Sequence, residues 1–184
     1  MKIIETMAQA IPKTALEVFN MLPEGTHIQL INDTLIMSPA PTEAHQRMVM
    51  FLSSEINNCV RKHKLGHVYP GPIDVELNTH QVYQPDIIFI SNANKSIIHE
   101  KRIYGGPDLV IEILSPGTAK YDKNEKFVAY QAAGVKEYWI VDVDVPWAFG
   151  YTINQDEVFE ERYKQITKLY PATLDGLHID LAGS

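Results

Sequence analysis

A single cysteine, Cys59, stands in 184 residues, and that scarcity excludes an internal disulfide framework and any cysteine-based zinc cluster. A reducing compartment follows as the expectation, and we expect the cytoplasm. Long hydrophobic runs are missing as well. Nothing approaches the ~18 apolar residues of a membrane-spanning helix, and the stretch from Met1 to Phe19 has no apolar core of signal-peptide length, so no membrane association is expected. Positive charge is in short supply: 16 Lys and Arg against 23 Asp and Glu give a net charge of −7. Such a balance argues against a surface that grips nucleic acid through many non-specific phosphate contacts, but it leaves room for a local site. The basic groups at Arg61-Lys62-His63-Lys64, Lys101-Arg102 and Lys120 to Lys126 read equally well as ordinary solvated surface. A glycine-rich phosphate loop, an internal repeat and a Ser/His/Asp signature are also lacking, and the classes they mark drop out.

What is present is 45% hydrophobic residues, enough for one sizeable core, so residues 1–184 read as one domain. Within it, 1–41 form an N-terminal helix and hairpin, 42–143 a core, and 144–184 C-terminal strands and a tail. A short helix is predicted at 13–21, ended by Pro23-Glu24-Gly25, and a hairpin follows from Ile28 to Ile31 and Leu35 to Met37 with Asn32-Asp33 as its turn. Thr42 then caps a long helix running to about Lys64, where Leu65-Gly66 stops it. Its apolar stripe is His45, Val49, Leu52, Ile56 and Cys59 or Val60, spaced by three and four, which puts His45 on the inward face. A histidine on such a stripe is usually a core residue with a satisfied ring nitrogen. Residues 67–77 read as extended, Asn78-Thr79 as a turn, and Asp86 to Ser91 as a strand that begins after Pro85, which cannot donate to a sheet ladder. Residues 92–106 read as loop or short helix, Glu137 to Val143 as a strand, 148–170 as a hairpin, and Leu174 to Leu181 as a terminal flap.

The clearest chemical anomaly lies in residues 107–142, which read as strand, turn, helix, strand. In Leu109-Val110-Ile111-Glu112-Ile113-Leu114 a carboxylate interrupts a run apolar on both faces, the pattern of a central strand. Burying an unpaired carboxylate costs several kcal/mol, so Glu112 requires a cation, a metal, a hydrogen-bond network or a proton. The following helix, predicted over 122–133 from the Asp122 and Glu125 capping box and the Gly134 stop, offers Lys126. Two partners are open to that lysine, namely Asp122 at i, i+4 on a solvated helix face and Glu112 in the core. Asp86 is a second acid entering an apolar run. If its strand neighbours that of Glu112, a spacing of about 4.8 Å lets both carboxylates reach one divalent cation.

The order of elements, with acids at Asp86 and Glu112, resembles the restriction-endonuclease-like PD-(D/E)XK fold. Gln84-Pro85-Asp86, the run PDLVIEILSP at 107–116, Asp122, Glu125-Lys126, Tyr130, Ala133-Gly134-Val135 and Glu137-Tyr138-Trp139-Ile140-Val141-Asp142 narrow the resemblance to the Uma-two family of restriction-endonuclease-like proteins. Ser38-Pro39 through His45-Gln46, Asp74 and Leu177-His178-Ile179-Asp180-Leu181 fit the same pattern. The resemblance implies an α/β fold, a central mixed β-sheet flanked by helices, with an N-terminal hairpin extension. It implies a Mg²⁺-dependent endonuclease acting on DNA, with Mn²⁺ as a possible substitute and a homodimer as the expected assembly. Asp86, Glu112 and the Ile113 carbonyl would hold the metal, and Lys126 would complete the catalytic set. The motif's lysine position two residues after the acid is Leu114 here, so Lys126 would come from the helix instead. His45, Glu43, Asp74 and Tyr130 would support the site. Two other readings share it: a catalytically silent binding or regulatory module in which Glu112 and Lys126 form a structural ion pair, and a metal-dependent hydrolase of another phosphate substrate.

Overall fold

The computed structural model describes residues 11–114, 124–145 and 147–183. Helix α1 (Ala15–Asn20) starts where the Thr14 hydroxyl accepts from the Glu17 N–H. The strands β1 (Ile28–Ile31) and β2 (Thr34–Met37) form the predicted hairpin. Asn32 and Asp33 both take positive φ, 48° and 60°, as a two-residue turn between right-twisted strands requires. Helix α2 (Glu43–His63) is capped by Thr42, whose hydroxyl accepts from the His45 N–H at 3.2 Å, and ends as Lys64 turns left-handed.

The extended stretch predicted at 67–77 is two strands in two different sheets. β3 (Gly66–Pro70) and β4 (Val75–Asn78) are separated at Gly71-Pro72, where the chain crosses between them. After β5 (Gln81–Tyr83) and β6 (Ile87–Ser91) come a 3-10 turn at Lys95–Ile97 and β7 (Ile103–Tyr104). β8 (Leu109–Ile113) carries Glu112, and helix α3 (Glu125–Ala132) follows. Asp122, the predicted cap and the alternative partner of Lys126, lies outside the described residues. The Gly134 stop takes φ +73°. β9 (Glu137–Asp142), β10 (Trp147–Ile153) and β11 (Phe159–Ile166) form a meander, and β12 (Lys168–Leu169) pairs with β13 (Ile179–Asp180).

The central sheet has the order β11-β10-β9-β8-β6-β3, and the second sheet β2-β1-β5-β4-β7. Both are mixed, since β8 runs parallel to β9, and β4 to β7. Alternation along β8 sends its two faces into different cores. Leu109, Ile111 and Ile113 pack with Ile87, Phe89, Trp139 and the α2 stripe of Met48, Val49, Leu52, Ile56 and Val60. Cys59 is only half-buried, so Val60 closes that stripe. Val110 and Leu114 pack on the opposite face with Tyr83, Ala129, Tyr130 and Tyr138. The central sheet therefore lies between α2 and a layer made of α3 and the second sheet. Each fully buried Leu, Ile or Val contributes about 1.5–3 kcal/mol relative to exposure. The tail joins this packing, because Leu174, Ile179 and Leu181 are buried in the α2-side core.

Candidate active site

The antiparallel register of β6 and β8 pairs Ile87 with Ile111 and Ile88 with Val110. Asp86 directly precedes this paired stretch, next to the end of β8 that carries Glu112 and Ile113. Asp86 is fixed through one oxygen: Oδ2 accepts from the Ile113 N–H at 2.7 Å and lies 3.2 Å from His45 Nε2. The long α2 brings His45 there from its first turn. Because the N–H and C=O of one strand residue point to the same side, the Ile113 carbonyl also faces the Asp86 edge.

Glu112 is buried and met from α3. Its Oε1 accepts from Lys126 Nζ at 2.9 Å and from the Tyr130 hydroxyl at 2.6 Å. Lys126 and Tyr130 stand four residues apart, so both reach down from one helix face. The Glu112 and Lys126 side chains are each 3% exposed, a setting in which loss of either partner strands a charge at a cost of about 3–5 kcal/mol. Among the described residues, Glu112 is a partner of Lys126.

The structure brings Asp86, Glu112, Lys126 and His45 to the lining of one cleft, walled also by Pro39-Ala40-Pro41, Gly71-Pro72, Gln29 and Gln84. Tyr130 lies beneath it, bonded to Glu112. Two expected supporting residues are elsewhere. Glu43 points to solvent with its side chain 80% exposed and pairs with Arg47 at 3.2 Å. Asp74 accepts from Gln84 Nε2 at 2.9 Å and, with Arg102 and Glu76, borders a separate cleft against α1. Among the described residues it meets the lining of the first cleft through Gln84.

The structure adds Tyr83, which sequence reasoning passed over as one more β-former. Its ring meets Tyr130 edge-on at 5.6 Å, and its buried hydroxyl has no hydrogen-bond partner among the described residues. Burial pushes the phenol up to about 12, with Lys126 pulling against that and Glu125 and Glu112 reinforcing it. Gln29 and Gly71 were also missed. A polar residue inside Ile28-Gln29-Leu30-Ile31 was the available signal for the first, whereas a tight backbone approach leaves no trace in sequence for the second.

Among the described residues no cluster of three or more His, Cys, Asp or Glu is arranged to hold a metal. The cleft is lined by the carboxylates of Asp86 and Glu112 and the imidazole of His45. Carboxylate oxygens fit a small hard divalent cation, which keeps several waters and takes one or two protein carboxylates. Among the described residues no helix is long and apolar enough to cross a membrane.

A central mixed sheet with one acid on β8, another just before β6, and a lysine on the helix that follows is the arrangement that the restriction-endonuclease-like resemblance led us to expect. The chain belongs to the Uma2 family, whose description is "Putative restriction endonuclease" and whose profile matches residues 15–182. Its fold is similar to that of a crystal structure described as a "putative nuclease belonging to DUF820 from Anabaena variabilis ATCC 29413". The identity is 20% and the TM-score 0.76, with 93% of this chain and 96% of the other covered. No curated protein matches it.

Proposed function

We propose that the chain is a metal-dependent endonuclease that hydrolyses DNA phosphodiester bonds at the Asp86, Glu112 and Lys126 cleft. The observation that carries this reading is the meeting of two carboxylates, one on β8 and one just before β6, with a buried lysine in one cleft. Asp86 and Glu112, with the Ile113 carbonyl, would hold Mg²⁺ or Mn²⁺. When bound, that cation supplies Lewis-acid polarisation of the phosphate and a water of lowered pKa. Lys126 holds its ammonium beside Glu112, where it can donate to an attacking water or to the developing negative charge on phosphorus oxygens. Tyr130 fixes the Glu112 carboxylate from below, and His45 orients Asp86 through Oδ2. A homodimer would let two such sites address two strands.

Calorimetric titration of Mg²⁺ and Mn²⁺ into the parent chain and Asp86→Asn tests the metal site, and cleavage of single-stranded and duplex DNA tests the substrate. Binding lost in Asp86→Asn together with metal-dependent cleavage is the expected result. Equal binding by parent and variant would remove Asp86 from the site. The competing reading, a silent binding module, draws support from the fact that Glu112 already has Lys126 and Tyr130 as partners. It predicts DNA binding with no cleavage under any divalent metal. Cleavage of a small phosphodiester but of no DNA would favour the third reading.

A further inference from the structure

The segment Gln84-Pro85-Asp86 belongs to neither β5 nor β6, yet it must hold Asp86 to within a fraction of an ångström for that carboxylate to meet the Ile113 N–H. Two neighbours fix it. On one side the chain at Gly71 closes in: the Gly71 N–H donates to the Asp86 carbonyl at 2.8 Å, and a Cβ on Gly71 would lie 2.7 Å from the Pro85 carbonyl oxygen. On the other side stands Gln29 of β1, a buried amide in an otherwise apolar strand. Its Oε1 accepts from the Gln84 N–H at 3.1 Å and its Nε2 donates to Ser38 Oγ at 3.0 Å. Proline at position 85 has no N–H of its own, so the Gln84 N–H is the backbone donor through which the turn before Asp86 is anchored from this side. Gln84 then spends its side-chain N–H groups on the Thr26 carbonyl and Asp74, tying the same turn to the segments that lead into β1 and β4.

We propose that Gln29 is a positioning residue for Asp86, so that the N-terminal hairpin is part of the metal-binding machinery and not an appendage. This rests on the reading that Asp86 holds a divalent cation. Outer partners that orient metal ligands are commonly worth about 10- to 100-fold in metal affinity, and Gln29 acts one step further out, through the backbone.

The test is Mn²⁺ calorimetry on the full chain as parent, Gln29→Met, Gln29→Glu, Ser38→Ala and Asp86→Asn, with thermal midpoints recorded for each. Gln29→Met keeps the volume and loses both hydrogen bonds, and a fall in Mn²⁺ affinity of about tenfold or more is expected. Gln29→Glu can still accept from the Gln84 N–H and can accept from the Ser38 hydroxyl, so its affinity should stay near the parent's. A mere packing role predicts the reverse order, since methionine fills the space while glutamate buries a charge. Ser38→Ala, which frees the outer end of Gln29, should lower affinity by less than Gln29→Met. Parental affinity in both Gln29→Met and Ser38→Ala overturns the role of Gln29 and leaves that of Asp86 standing. A parent that binds no Mn²⁺, or an Asp86→Asn variant that binds it equally well, removes the Asp86 reading and this one with it.

Discussion

The two ends of β8 each bury an acid, and the two acids are satisfied in different ways. At the entry end Asp108 accepts from the Ser91 backbone N–H at 2.7 Å and from Lys136, whose side chain is 57% exposed. At the exit end Glu112 meets Lys126, itself buried, and the Tyr130 hydroxyl. A third acid on the next strand, Glu137, has no lysine partner among the described residues. It takes N–H groups of Ala172 and Thr173, the Thr173 hydroxyl and the Trp139 indole N–H at 2.7–2.9 Å. Burial of an acid in a strand is therefore no mark of chemistry by itself. What sets Glu112 apart is its company: it shares a cleft with a second carboxylate, and its cation is held away from water.

The comparison breaks most visibly at Lys126. Lys126→Ala strands Glu112 and should lower stability by about 3–5 kcal/mol, read as a shifted urea midpoint, with turnover lost while metal binding persists. An unchanged rate would take Lys126 out of the mechanism. In the double variant Glu112→Gln/Lys126→Met, with the charges removed together, stability should return toward the parent while activity stays absent. Recovery of activity with stability would show the pair to be structural. Glu112→Gln alone should keep the fold but lose the stabilisation that Mg²⁺ confers, and a midpoint that still rises with Mg²⁺ as the parent's does would defeat that expectation. Glu137→Gln comes next. One amide nitrogen replaces an acceptor facing buried donors, at about 1–3 kcal/mol, with cleavage per folded molecule unchanged. Altered specific activity there would mean that the Ala172-Thr173 loop reaches the site.

Much of the architecture was legible because local signals agreed. Thr42 before a three-four apolar stripe fixed α2, Asn32-Asp33 fixed a hairpin turn, and Gly134 ended α3. The Glu112 anomaly was visible because a charge in a doubly apolar run is costly wherever the run lies. The burial of Asp108 and Glu137 was not legible for a physical reason, since each stands at a strand's edge where sequence pattern does not separate a buried end from an exposed one. Glu43 and His45 stand two apart on α2, about 200° around a helix, so only His45 could face the sheet. Asp74 looked like a site residue by resemblance, yet it borders the other cleft, beside the Arg102 guanidinium that also pairs with Glu76. The break at Gly71-Pro72 had a local signal in Pro70-Gly71-Pro72 that the reading of 67–77 as one extended stretch passed over, while the sheet each half joins is set by non-local partners, β6 for one and β5 and β7 for the other.

The smallest expected effect lies at Asp108 and sharpens the contrast through pH. Burial pushes its carboxyl up, but the Lys136 ammonium and the Ser91 N–H outweigh that, and it is held below the ordinary value of 3.8. A carboxylate depressed in the folded state contributes stability that is complete above the unfolded pKa and is lost as pH falls through the lower folded value. Asp108→Asn should therefore lower stability modestly at neutral pH, by about 1 kcal/mol, and flatten the fall in stability below about pH 4. Lys136→Ala should cost less, since its exposed ammonium is well screened. Both variants should keep parental metal affinity and turnover. Urea midpoints measured from neutral pH down into the acid range check this, and an acid limb as steep in Asp108→Asn as in the parent would assign that limb to other carboxylates. A loss of metal binding in Asp108→Asn would show instead that the two ends of β8 are mechanically coupled, because strain at its entry would then reach Glu112 and the Ile113 backbone four and five residues away.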